Sequence, residues 1–139
     1  MTSEKTKKVS RILIVEDNPT FRQTLRRLLD TRFPIITCEE AGEGKEALTK
    51  VNDFLPHLIF MDIKLPGESG LELTKKIKSS YPEIIIIILT NYDLPEYRDV
   101  AMRNGADYFL SKGSSNTQDI VSLVESVVYK PNTKPEKEG

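Results

Sequence analysis

Apolar residues along this chain follow two alternating rhythms. Five short runs predict strands: Arg11-Ile-Leu-Ile-Val15, Ile35-Ile-Thr-Cys-Glu39, Leu58-Ile-Phe-Met61, Ile84-Ile-Ile-Ile-Ile-Leu89 and Tyr108-Phe-Leu-Ser111. The segments between and after them carry helical spacing. Phe21, Leu25, Leu28 and Leu29 make one stripe, Ala47, Leu48 and Val51 a second, Leu73, Ile77 and Tyr81 a third, and Ile120, Leu123, Val124 and Val127 a fourth. A further helix over 95–104 rests only on Tyr97, Val100 and Ala101. Start signals agree. Asn18-Pro19 predicts an N-cap with proline at the first helical position. Ser69-Gly-Leu-Glu72 has the form of a capping box, and Asp93-Leu-Pro-Glu96 resembles one with aspartate as the cap.

The strand starts recur about every 24 residues, the length of one strand, one helix and two short loops. A repeated βα unit implies a parallel sheet with right-handed crossovers and helices on both faces. The first, third and fourth runs are almost wholly apolar, as strands buried on both faces should be. The second and fifth mix in Thr37, Glu39 and Ser111, which suits edges. The expected fold is therefore α/β, a doubly wound five-stranded parallel sheet of order 2-1-3-4-5, flavodoxin-like, with its ligand crevice beyond the carboxyl ends of the first and third strands. One domain over 10–129 is expected, with polar tails at 1–9 and 130–139, the latter a tail or linker.

Composition narrows the function. Of 139 residues, 20 are basic and 21 acidic, a net charge of −1, which speaks against a nucleic-acid surface within these residues. The longest apolar run, Ile84 to Leu89, falls far short of the roughly 20 residues that cross a bilayer, so no membrane partner is expected. Nor does the N-terminus carry an apolar stretch of signal-peptide length, and a cytoplasmic location is expected. One cysteine, Cys38, excludes an internal disulfide and reads as a small buried hydrophobe. Lys5, Lys7 and Lys8 read as solvated charges.

The informative residues stand at the ends of the runs. Glu16-Asp17, Asp62, Thr90 and Lys112 follow the first, third, fourth and fifth strands, so a parallel sheet gathers them on one rim. Each has an ordinary reading on its own: a helix cap for Glu16-Asp17, a turn aspartate before Leu65-Pro-Gly67 for Asp62, a strand former for Thr90, a surface lysine for Lys112. Together they point to chemistry. Carboxylates about 4 Å apart repel by ~4 kcal/mol per pair at an effective dielectric near 20. A lysine offsets part of that; a hard divalent cation held by oxygens offsets the rest, and Mg2+ suits few carboxylates with retained waters. The chemistry that fits is phosphoryl transfer onto Asp62, with Thr90 and Lys112 meeting phosphoryl oxygens.

Four blocks, Ile-Leu-Ile-Val-Glu-Asp-Asn-Pro (12–19), Leu-Ile-Phe-Met-Asp-Ile-Lys-Leu-Pro-Gly-Glu-Ser-Gly-Leu-Glu (58–72), Ile-Ile-Ile-Leu-Thr-Asn (86–91) and Gly-Ala-Asp-Tyr-Phe-Leu-Ser-Lys (105–112), resemble the receiver domain of two-component response regulators. The resemblance implies Asp62 as phosphoacceptor, a histidine kinase or phosphotransfer protein as donor, and Mg2+ held by Glu16, Asp17, Asp62 and the backbone carbonyl of Lys64. It implies Thr90 as switch hydroxyl, Lys112 as the paired lysine, Phe109 as switch aromatic, and a homodimer or attached output domain reading the face of helix 4, strand 5 and helix 5. Departures are Asn91 where a very small residue is usual, Tyr108 where glycine often stands, and Gly113-Ser-Ser115 where proline often follows the lysine. The last is similar to regulators with a LuxR/NarL-type DNA-binding output domain, here absent from the chain. Lys64 and Tyr92, with Asn91, are placed to overhang the phosphoryl group and set its lifetime.

Other readings fit less well. A haloacid dehalogenase-type phosphohydrolase wants a second aspartate where Asp62-Ile-Lys64 has none, and a flavin phosphate wants hydroxyls and amides where Glu16-Asp17 stand. An unphosphorylated pseudo-receiver does not need the full constellation. His57, the one histidine, leads into a strand and reads as structural rather than as a phosphohistidine relay.

Overall fold

Five strands and five helices alternate along residues 9–129, the part of the chain that the computed structural model describes. They are β1 (Arg11–Val15), α1 (Pro19–Arg32), β2 (Thr37–Ala41), α2 (Gly44–Phe54), β3 (Leu58–Met61), α3 (Gly70–Ser80), β4 (Ile85–Thr90), α4 (Pro95–Arg103), β5 (Tyr108–Ser111) and α5 (Thr117–Val128). All strand pairs are parallel, in the order β2-β1-β3-β4-β5. The spacing of the apolar runs makes the strands parallel through right-handed crossovers, and the polar residues Thr37, Glu39 and Ser111 suit β2 and β5 to the two edges.

Strand alternation splits the core into two layers. Ile12, Ile14, Leu58, Phe60, Ile87 and Leu89 face α1 and α5, meeting Leu25, Leu29, Val121 and Val124. Leu13, Val15, Ile59, Met61, Ile86 and Ile88 face α2, α3 and α4, meeting Ala47, Val51, Leu73, Ile77 and Ala101. The three central strands are buried from end to end, apart from half-buried Arg11 and Ile85.

Three details depart from the sequence pattern. β2 lies two residues later than the Ile35–Glu39 run. Pairing begins where Ser10 carbonyl accepts the Thr37 amide (2.8 Å), and Ile35 stays in the turn leaving α1, 75% exposed. Asp93 does not cap α4: Leu94 is the N-cap, and Asp93 Oδ1 accepts from Arg98 Nη2 at 3.1 Å. Val9, assigned to the N-terminal tail, is buried in the α1–α5 layer. Residues 1–8 and 130–139, with Lys5, Lys7 and Lys8, lie outside the described residues. Asn18 caps α1 as expected, its side chain accepting the Phe21 amide at 3.0 Å. Ser69 caps α3 through the Leu71 amide, while a reciprocal capping box forms at Asn116 and Asp119 of α5.

The start of α3 is seated directly against the end of β3. Gly70 donates its amide to the Ile63 carbonyl (2.8 Å), and a Cβ at Gly70 would stand 1.9 Å from the Asp62 carbonyl oxygen. Only glycine fits that approach, and its cost in helix propensity is the sign of it. Gly70→Ala is expected to lower stability by about 2–4 kcal/mol in urea unfolding, whereas Gly113→Ala, whose nearest neighbour would be 3.7 Å away, should change it by less than about 0.5 kcal/mol.

Candidate functional site

Parallel strands end on one side, and the residues that follow them converge there. Glu16 continues the β1 ladder, its amide bonded to the Ala41 carbonyl at 2.9 Å, and its side chain turns inward, 3% exposed. Asp17 alternates outward and is exposed. Asp62 follows β3, its amide on the Val15 carbonyl at 3.1 Å, and is buried. Lys112 follows β5 and bonds its amide to the Thr90 carbonyl at 2.8 Å.

One ammonium ties the group together. Lys112 Nζ donates to Glu16 Oε1 at 2.6 Å, across 96 residues of chain, and to Asp62 Oδ2 at 3.1 Å. The Phe21 ring lies under it, 4.3 Å from the ring centre. The Ile63 amide holds Asp62 Oδ1 (2.7 Å) and the Asn18 amide holds Glu16 Oε2 (3.0 Å). Carboxylate oxygens of Glu16, Asp17 and Asp62 lie within 4.8 Å of one another.

At that distance each carboxylate pair repels by about 3.5 kcal/mol at an effective dielectric of 20, and one ammonium among three carboxylates leaves the cluster formally negative. Burial pushes the Glu16 carboxyl above its ordinary value, and the Asp62 charge adds to this, although the Lys112 and Asn18 hydrogen bonds pull the other way. For Lys112, burial works against the charge. The hydrogen bond to Glu16 and the charge of Asp62 outweigh it and hold the ammonium above the usual lysine range. A buried, oxygen-only, charge-deficient pocket with one exposed arm is a donor set for a hard divalent cation. Asp62 is in turn a carboxylate fixed at both oxygens, suited to act as a nucleophile toward phosphorus.

The remaining predicted residues form a second ring. Thr90 is fully buried, and its Oγ1 accepts the Tyr92 amide at 3.2 Å, leaving the hydroxyl proton to donate. Phe109 is buried under the Arg98 guanidinium, 4.5 Å from its ring centre. Lys64 and Tyr92, both exposed, touch one another: the ammonium stands 5.4 Å from the ring centre, bridging the loops after β3 and β4. Tyr92 also packs edge-on to Tyr97. Asn91 is exposed beside them. His57 lies at the opposite end of the sheet, where its Nδ1 accepts the Ser10 and Arg11 amides, a structural role. Cys38 is buried, and burial chiefly, with the Asp30 charge, pushes its thiol up to about 12.

Sequence reasoning missed four contributors. Gly70 was legible as a glycine in the first turn of a helix. Phe21 read only as core, and neither Arg98 over Phe109 nor Arg22, whose Nη1 donates to the Glu16 carbonyl at 2.8 Å, stood out among other surface arginines.

A family profile described as the response regulator receiver domain matches residues 12–125. The oxygen regulatory protein NreC of Staphylococcus aureus (strain JH9) is 35% identical over 124 residues, covering 88% of this chain and 56% of that protein, so the chain spans about half the length of this curated relative. A LuxR-family two-component response regulator from Aurantimonas sp. SI85-9A1 superimposes with a TM-score of 0.79 at 30% identity, over 87% of this chain and 86% of that one. A response regulator from Burkholderia pseudomallei, solved with a phosphorylated aspartic acid, a calcium ion and citrate, does so with a TM-score of 0.75 at 27% identity, over 87% and 67%.

The electrostatics give a stability test. A carboxyl raised in the folded state contributes stability below its ordinary value and loses it as pH rises through the folded one. Metal-free protein should therefore lose stability above pH 4.5 as Glu16 ionises beside Asp62. Asp62→Asn is expected to be more stable than wild type by about 1 kcal/mol at pH 7 in chelator, with the gain shrinking toward pH 4.5 in urea unfolding.

Proposed function

The chain belongs to the response regulator receiver domain family, and from that premise we propose that it is a phosphorylatable switch, taking a phosphoryl group onto Asp62 from a histidine kinase or phosphotransfer protein. The observation that carries this reading is the buried Asp62 carboxylate, shared by Lys112 and set within 4.8 Å of Glu16 and Asp17 oxygens. Asp17, Asp62, Glu16 through water, and the Lys64 carbonyl would hold Mg2+, which when bound neutralises the incoming phosphoryl oxygens. The all-oxygen donor set supports a hard cation, and the Burkholderia pseudomallei regulator was solved with both a phosphorylated aspartic acid and a calcium ion.

In the proposed step an Asp62 oxygen forms the O–P bond as the P–N bond to the donor imidazole breaks, and the imidazole leaves with the electron pair. Lys112 moves from sharing two carboxylates to pairing a phosphoryl oxygen, and Thr90 donates its hydroxyl proton to another. Thr90 shifting toward the phosphoryl group frees space that Phe109 fills, so a local charge biases a packing choice. The reader of that change is the face formed by α4, β5 and α5, through a homodimer or an output domain of LuxR type beyond this chain. A cytoplasmic location goes with that reading; among the described residues no helix is long and apolar enough to cross a membrane.

Intact-mass measurement after incubation with acetyl phosphate and Mg2+ tests the central claim. Wild type should gain one phosphoryl group, and Asp62→Asn and Asp17→Asn none; an adduct on Asp62→Asn would overturn the assignment. Asp17→Asn should stay folded, because it relieves repulsion at an exposed position.

The lifetime of the phosphorylated state depends on a water reaching phosphorus in line. Lys64 and Tyr92 form a paired cover across the two loops that flank Asp62. Slow loss of phosphate is expected, speeded about tenfold or more in Lys64→Asn/Tyr92→Glu, measured as phosphate release after donor removal. An unchanged rate would mean that this pair is not the cover.

A further inference from the structure

We propose that Arg22 is a positioning residue for the acidic pair, fixing the peptide that joins Glu16 to Asp17 so that Asp17 presents its carboxylate to the cation. This rests on the metal-site reading above and adds to it a residue that touches none of the ligand atoms.

The β1–β2 ladder runs out at Glu16. The Glu16 amide still bonds to the Ala41 carbonyl (2.9 Å), but β2 ends at Ala41, and Gly42 beyond it bonds its amide to Glu46 Oε1 (2.8 Å). Arg22 supplies a side-chain donor to the Glu16 carbonyl instead, Nη1 to oxygen at 2.8 Å. A planar peptide held at its carbonyl has its following Cα fixed as well. That Cα is Asp17, whose side chain is exposed and takes its aim from the backbone.

Arg22 is itself held. Its Nε donates to Glu40 Oε1 at 2.8 Å, and Arg26, one turn along α1, donates to Glu40 Oε2 at 2.9 Å. Glu40 is thus clasped by two arginines, of which Arg22 reaches on to Glu16. Gly42 keeps the space open: a Cβ there would stand 3.2 Å from Arg22 Nη1. A guanidinium suits this task because its rigid fork serves two acceptors in fixed directions. Arg26 therefore provides an internal comparison. It has the same charge, the same partner and the same helix, without the bond to Glu16.

The test is Mn2+ binding to the 139-residue chain, followed by the paramagnetic resonance of the free ion, for wild type, Arg22→Gln and Arg26→Gln. Arg22→Gln is expected to raise the Mn2+ Kd about tenfold. Arg26→Gln loses a comparable surface pairing and should stay within about twofold of wild type. Gly42→Val crowds the guanidinium and removes no charge; it should weaken Mn2+ in the same direction, and it carries the test if circular dichroism finds Arg22→Gln unfolded. Wild-type affinity in Arg22→Gln, or equal losses in the two arginine variants, would overturn the proposal alone. Failure of wild type to bind Mn2+ would overturn the metal-site reading and this proposal with it.

Discussion

The interaction on which the rest depends is the ammonium of Lys112 between two buried carboxylates, Glu16 at 2.6 Å and Asp62 at 3.1 Å. An isolated buried charge is too costly to keep, and two like charges side by side are worse. One lysine makes the arrangement tolerable without making it neutral, and Asp17 at the rim leaves the cluster an excess of negative charge. The site is therefore held in deficit of positive charge, and a divalent cation entering it would be drawn by that deficit. Stability is sacrificed locally, and the surrounding core carries the cost.

That core is what permits it. Three central strands buried on both faces give a rigid floor, and the parallel order delivers Glu16, Asp62 and Lys112 to one side from distant parts of the chain. Rigidity alone does not aim a carboxylate. Aim comes from short polar contacts at the strand ends: the Ile63 amide on Asp62, the Asn18 amide on Glu16, and the seating of Gly70 against the Asp62 carbonyl. Each fixes a loop that would otherwise be free to swing a carboxylate.

Much of this was legible in the sequence, and the reason is periodicity. The recurring apolar runs specify parallel βα units, the polar residues of the second and fifth runs place those two at the edges, and Glu16, Asp17, Asp62, Thr90 and Lys112 stand out because they sit at the ends of runs. What periodicity cannot carry is pairing register and side-chain reach. Ile35 has the composition of a strand residue yet precedes the first ladder bond, so β2 slips by two. Asp93 has the spacing of a cap, but Arg98 takes its carboxylate. Lys64 and Tyr92 stand out by their offsets from Asp62 and Thr90, but their contact is visible only once two loops are set side by side. Arg22 is one of four arginines of α1 that stand in no distinctive pattern, since a hydrogen bond to a backbone carbonyl leaves no mark on sequence.

The same deficit explains how a local event could be felt at a distance. Lys112 is bound by its side chain to the acidic cluster and by its amide to the Thr90 carbonyl, so β4 and β5 share one contact with the charge. Thr90 in turn receives the Tyr92 amide, at the root of the loop that leads to α4. From α4, Arg98 reaches back over Phe109 on β5. A charge added at Asp62 would compete with Glu16 for Lys112, and would draw the Thr90 hydroxyl, whose oxygen still carries the Tyr92 amide. A shift of Thr90 would thus pull on the β4–α4 loop, the segment where the helix lacks a side-chain cap and where Leu94 stands half exposed. An uncapped helix start is the cheapest place for the backbone to yield. The element best placed to move is thus the one that local sequence holds least firmly, while the sheet beneath it stays packed.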